Sequence, residues 1–221
     1  MNLIKPSYTI ESWTDLSLIE RAGRTCYKSE NKITEESLAP FIRGILKRGH
    51  ESVMEHSMLS VRFIVDRGVT HELVRHRLMA FSQESTRYCN YGNSDGGVTF
   101  IIPPWVSILP GTYLWDETEP DKVCAVSSPA FLWFQTMQET ELCYLGLLSS
   151  GWSPQQARSV LPNSLKTEIV ATANFREWRH IFKLRAIGTS GTPHPQMLEV
   201  MVPLLKEVKQ EIPLIFDDLK V

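Results

Sequence analysis

Leu59, Val61, Phe63 and Val65 alternate with Ser60, Arg62 and Asp66, the two-residue period of a strand with one buried face, and Gly68 stops it. Thr34 to Lys47 follows the helical period instead. Leu38, Phe41, Ile42, Ile45 and Leu46 form one apolar stripe, Thr34 is placed to cap it, and Glu35 and Glu36 suit its positive end. Pro40 predicts a kink near the start, and Gly49 predicts the stop. Thr70 opens a helix through His71–Arg77, and Phe81 to Tyr88 reads as a loop.

Asn90 to Gly97 is rich in turn formers, and Val98 to Pro104 reads as a short strand running into a double proline. Residues 103–127 carry Pro, Gly and acidic side chains without periodicity, which predicts an irregular surface excursion. Pro129 starts a long apolar helix to about Leu148, and Ser153 with Gln156 makes a capping box with Pro154 at the first helical position. Thr167 to Ala173 reads as a strand. Asn174, with Glu177 three residues on, opens a helix to about Arg185. Pro195 begins a last amphipathic helix through about Lys209, with Met197, Leu198, Met201, Leu204, Leu205 and Val208 apolar. With no repeat or low-complexity linker, the pattern predicts one α+β domain over residues 1–221, a small antiparallel-type sheet flanked by several long helices.

Composition narrows the partners. The 221 residues carry 23 Lys+Arg against 25 Asp+Glu, a formal charge of -2, without the basic excess of a protein that neutralises nucleic-acid phosphates. Small phosphorylated ligands fit better. The start MNLIKPSYTI lacks an apolar signal core and no stretch has the ~18–20 apolar residues of a membrane span, so a cytoplasmic protein is expected. Cys26, Cys89, Cys124 and Cys143 form no C-x-x-C pair and are expected to be reduced, mostly buried thiols.

The segment HESVMEH sets His50 and His56 six residues apart, and His71 and His76 are five apart; neither spacing matches the four of a helical metal site, so no metal is expected. Arg75-His76-Arg77, followed by Ser82, Gln83, Glu84, Ser85, Thr86, Arg87 and Tyr88, concentrates many donors. Guanidinium forks suit phosphate and Gln or Ser suit the edge of a heterocycle, although a solvated basic helix end has the same composition. Downstream, Arg158 follows a helix start, and Asn174, Arg176, His180 and Arg185 lie along NFREWRHIFKLR, with Arg176 and His180 on one face. Beside Trp178 and Phe182 these could hold an aromatic phosphorylated ligand, or be snorkelling arginines on a surface helix. His76, between two arginines, is expected to have a depressed pKa, which makes it a poor base and Ser85 a poor covalent nucleophile.

Together the segments resemble the flavin-dependent thymidylate synthases. That family's signature is RHR, seven residues, Ser and then usually Arg-Tyr, and this chain reads RHRLMAFSQESTRY. GHESVMEH, ARSVLP and NFREWRHIFKLR agree in order, so the similarity runs from about residue 35 to 205. The resemblance implies reductive methylation of dUMP to dTMP, with methylenetetrahydrofolate as carbon donor and FAD, reduced by NADPH, as hydride carrier. It implies a homotetramer whose sites form between subunits. It assigns Ser52, Arg75, His76, Arg77, Gln83, Asn174, Arg176 and His180 to FAD. To dUMP it assigns Glu72, Arg75, Gln83, Glu84, Ser85, Thr86, Arg87, Arg158 and Arg185, with Arg87 and Arg158 as phosphate partners. It makes Arg185 the expected catalytic residue, a permanent cation that would stabilise the uracil as N3 loses its proton.

The chain also departs from the family's pattern. Ser82-Gln83 stands where many members have Asn-Glu, and Glu72 where a glutamine is common. AIGTSGTP between Arg185 and His194 is longer than the usual connection, which leaves the roles of His194 and Gln196 open.

Overall fold

The computed structural model describes residues 1–93, 97–114 and 128–220. They divide into two compact units. One holds Met1–Ser7, Ile64–Leu73 and Ser82–Ile169, the other Tyr8–Phe63, Val74–Phe81 and Val170–Val221.

In the first unit, a small sheet has β1 (Asn2–Ile4) at its centre. It pairs in parallel with β5 (Thr99–Ile101), Asn2 opposite Thr99, and antiparallel with β6 (Gly111–Thr112), Leu3 opposite Gly111. A helix, α4 (Pro129–Ser149), followed by the one-turn α5 (Pro154–Ala157), starts where the Ser128 hydroxyl accepts from Phe131 N at 3.1 Å and Pro129 occupies the first turn. Leu3, Phe100, Ile102, Phe134, Met137 and Tyr144 are buried together there. The expected surface excursion is corrected in its described part: Val106 and Ile108 are buried in this core, and β6 falls within it. Apolar Val and Ile are drawn inside even where no period announces them. Residues 115–127 of that expectation lie outside the described residues.

A four-stranded sheet has the order β2 (Ser7–Trp13), β3 (Met58–Asp66), β7 (Lys166–Asn174), β4 (Ala80–Gln83). The expected strands 59–66 and 167–173 are thus present. Both alternate buried and half-buried positions, and both supply residues to the two units. β4 corrects the loop expected at Phe81, because three polar or aromatic residues on an edge strand carry too short an alternation to be read.

The second unit's core is aromatic. Trp178 and Phe182 lie 5.4 Å apart, Phe182 and Phe216 5.6 Å, and Phe175 and Phe216 5.9 Å between ring centres. The Trp178 indole donates to the Leu59 carbonyl at 2.8 Å. Around this core pack α1 (Ser17–Cys26), α2 (Leu38–Lys47), α6 (Phe175–Phe182), α7 (Pro195–Glu211) and α8 (Pro213–Phe216). The helix α2 starts four residues later than expected, after Ser37. Pro40 therefore sits in the first turn, where a missing N–H costs nothing and no kink is needed. Thr34 caps nothing; its N–H donates to the Ser37 hydroxyl at 2.9 Å. Among the described cysteines, Cys26 and Cys143 are exposed and Cys89 is half-buried, which corrects the expectation of mostly buried thiols. Cys124 lies outside the described residues. Among those residues no helix is long and apolar enough to cross a membrane.

Candidate functional site

The short helix α3 (Arg67–Leu73) stops before the RHR triplet, so the helix expected through Arg77 is shorter than its sequence suggested. Released from the helix, Arg75 and Arg77 are exposed while His76 is turned inward, only 6% exposed. The partner it meets is 109 residues away: Arg185 Nε donates to His76 Nε2 at 3.1 Å. A guanidinium can only donate, so Nε2 carries the lone pair and the imidazole proton sits on Nδ1. That nitrogen faces Glu177 Oε1 at 3.7 Å. Burial first, then the charges of Arg185 and His180, push the His76 pKa down to about 4. The depression expected from Arg75 and Arg77 thus has other causes.

Arg185 lies on a π turn, Lys183–Ile187, that continues α6. Such turns shift the register of the side chains beyond them. Three donors close it on one carbonyl: Gly188 N at 3.0 Å, Thr189 N at 3.0 Å and Thr189 Oγ1 at 3.1 Å all reach Lys183 O. Gly188 adopts φ 80°, and a Cβ there would meet Gly191 O and Pro193 Cδ, each at 2.9 Å. Residues 188–193 of the longer connection 186–193 are therefore a built element and not slack.

Asn174 caps α6, its side-chain oxygen accepting from Glu177 N at 2.8 Å. The helix presents Arg176 and His180 to an open cleft of ≈ 620 Å³, which Glu51, Glu55, Leu78 and Lys183 also line. Arg176 pairs with Glu55 at 2.5 Å. Ser52 is exposed on the short helical segment Glu51–His56 and is not among the residues that line this cleft. Trp178 and Phe182, beside which the sequence set the donors for an aromatic ligand, are 0% exposed. They belong to the core, because the stripe one step round the helix from Arg176 faces inward. The sequence reading also missed Arg179, which is buried and holds Asp218 with two hydrogen bonds, at 2.6 and 2.7 Å. Its hydrophobic neighbours were the available signal.

The remaining residues belong to the first unit. Gln83 Nε2 donates to the Thr70 and Thr167 hydroxyls, at 3.0 and 3.3 Å. Ser85 closes a turn, its hydroxyl accepting from Arg87 N at 3.3 Å and its carbonyl from Cys89 N at 2.9 Å. Arg158 reaches the buried Thr86 hydroxyl at 3.0 Å, and Arg87 reaches Gln155 at 2.9 Å. Both guanidinium groups belong to exposed residues and can meet an anion. Glu84 accepts from Tyr91 at 2.7 Å and from Lys166 at 3.0 Å. Glu72 is half-buried on α3.

Comparison with known proteins covers almost the whole chain. The family model described as thymidylate synthase complementing protein matches residues 9–214. Flavin-dependent thymidylate synthases of Corynebacterium efficiens and Mycobacterium avium are 32% and 30% identical over 212 and 214 residues, each alignment covering 93% of this chain and 80% of the relative. A solved UMP/dUMP methylase, PolB of Streptomyces cacaoi bound with 5-Br dUMP, superposes with a TM-score of 0.76. It shares 22% identity, with 98% of this chain and 96% of that one covered, a likeness of fold.

Proposed function

The chain belongs to the thymidylate synthase complementing protein family, and from that premise we propose that it is a flavin-dependent thymidylate synthase that methylates dUMP to dTMP. Methylenetetrahydrofolate is the carbon donor, FAD the hydride carrier and NADPH the reductant. The observation that carries the reading is the junction of the RHR signature with Arg185, two distant stretches joined by one hydrogen bond of 3.1 Å.

The residues assigned to FAD suit a dinucleotide. Arg75, Arg77, Arg176 and His180 are exposed donors for a pyrophosphate, Ser52 and Gln83 add polar contacts, and the cleft beside Asn174 has the volume of a cofactor site. His76 contributes from its buried position as a neutral ring. Reduced FAD, when bound, supplies the hydride. Glu72, Arg75, Gln83, Glu84, Ser85, Thr86, Arg87 and Arg158 serve dUMP, and Arg87 and Arg158 take its phosphate. Arg185 holds the uracil as N3 loses its proton. Its Nε is anchored by His76, so the plane of the guanidinium is set before the base arrives, and a preset donor loses no energy to reorganisation. Ser85 orients the base and forms no covalent bond. The lone pair of His76 is occupied by Arg185 and the ring is a weak base, so it cannot activate a hydroxyl.

We assign the protein to the cytoplasm and to a homotetramer with shared sites. The purified protein is expected to be yellow, to release FAD on denaturation, and to scatter light as four chains. A colourless preparation that takes up no added FAD overturns the reading.

A further inference from the structure

An acidic side chain beside the arginines of a phosphate-binding loop needs an explanation, since an ionised carboxylate there repels the ligand's charge. We propose that Lys166 and Tyr91 are positioning residues for the nucleotide, clamping the Glu84 carboxylate between them and holding residues 84–87 in their binding shape before dUMP arrives. This rests on the assignment of that loop to dUMP.

Both carboxylate oxygens are engaged. Oε1 accepts from the Tyr91 hydroxyl at 2.7 Å and Oε2 from Lys166 Nζ at 3.0 Å. Lys166 also reaches Glu168 at 2.7 Å, one strand period along β7, and the Glu84 backbone N–H donates to the Glu168 carbonyl at 2.9 Å. The loop is therefore fastened to β7 by its main chain and its side chain together. Side-chain exposures of 20% for Lys166 and 15% for Glu84 place the pair out of bulk water. A pair that is part of a network keeps strength that an isolated surface pair lacks.

Protonation states agree with the geometry. Burial opposes the charge on Lys166, but its hydrogen bonds to Glu168 and Glu84 prevail and its pKa is raised, so it stays a cation. Burial and then Glu84 raise the Tyr91 phenol, which keeps it a donor. Tyr91 is itself fixed, buried against Tyr144 with ring centres 6.0 Å apart. The clamp offsets part of the Glu84 charge with an ammonium that Glu168 shares, and it engages both Glu84 oxygens with the protein, leaving Arg87 and Arg158 for the anion.

The test is dUMP titration by calorimetry on the flavin-loaded protein, alongside steady-state KM and kcat. Lys166→Met should weaken dUMP binding about tenfold and Tyr91→Phe about threefold. Both should raise KM and leave flavin content and kcat near wild type. Lys166→Arg, which keeps a cation able to reach a carboxylate, should recover most of the loss. Tyr91→Phe removes one oxygen and keeps the packing, so it reads the clamp even if the lysine variant folds poorly. Melting temperatures that fall while dUMP affinity stays unchanged would mark a merely structural cluster and overturn the proposal. A wild-type protein that binds FAD but no dUMP overturns the functional reading instead.

Discussion

Arg185 and Lys166 are both partly buried cations, held in opposite ways. Arg185 is anchored by an imidazole that burial, Arg185 itself and His180 keep neutral. Lys166 is anchored by two carboxylates. A neutral acceptor fixes the direction of a guanidinium and brings no negative charge of its own. Two carboxylates cancel the charge of Lys166 and use it to hold a loop in place. On the proposed function, the difference separates the cation assigned to the chemistry from the one that holds a loop, a distinction the residue types alone do not carry.

The comparison can be broken at several points, the first of them the most damaging. Arg185→Ala should lower dTMP formation by about 10²–10³ while flavin absorbance is retained, and Arg185→Lys should restore only part, because an ammonium lacks the planar fork. Turnover near wild type in the alanine variant removes Arg185 from the chemistry. Arg158→Ala should raise KM for dUMP by about 10–100-fold with little change in kcat, the signature of a group that binds phosphate equally in ground and transition states. A fall in kcat at unchanged KM contradicts that role.

The subtlest effect is one of pH. The unfolded His76 has the ordinary value of 6.5 and the folded one about 4, so between these the unfolded chain binds more protons. The stability from the buried neutral ring is therefore complete above about pH 6.5 and drains away as pH falls towards 4, at up to about 1.4 kcal/mol per pH unit. Thermal melts from pH 7.5 to 4.5 should show this slope in wild type and a shallower one in His76→Gln, whose amide can still accept from Arg185. Parallel slopes would mean that the fold does not depress the His76 pKa.

What was legible in the sequence was local. Ser153 and Gln156 announced their capping box from three residues apart, and Asn174 its cap on α6, because partners and pattern lie within one turn. The strand β3 was legible from its period. The end of α3 was not, since His71–Arg77 contains no breaker, and nothing local says that His76 turns inward. The sequence grouped Trp178 and Phe182 with a ligand, although their spacing equally describes the buried stripe they form. The Glu84 clamp was out of reach because its lysine lies 82 residues away. Such pairings are decided by tertiary packing, on which periodicity is silent.

The turn closed on the Lys183 carbonyl has a practical consequence. Its three donors come from Gly188 and Thr189, and Gly191 and Pro193 pack against Gly188, so Ser190 supplies none of the donors that close the turn. Thr189, Ser190, Gly191 and Thr192 are all exposed. Chemistry done at Ser190 is thereby decoupled from the arginine five positions earlier. Once the exposed Cys26 and Cys143 are replaced, a cysteine introduced there can carry a fluorophore or a surface tether close in sequence to Arg185, the residue proposed to meet the uracil.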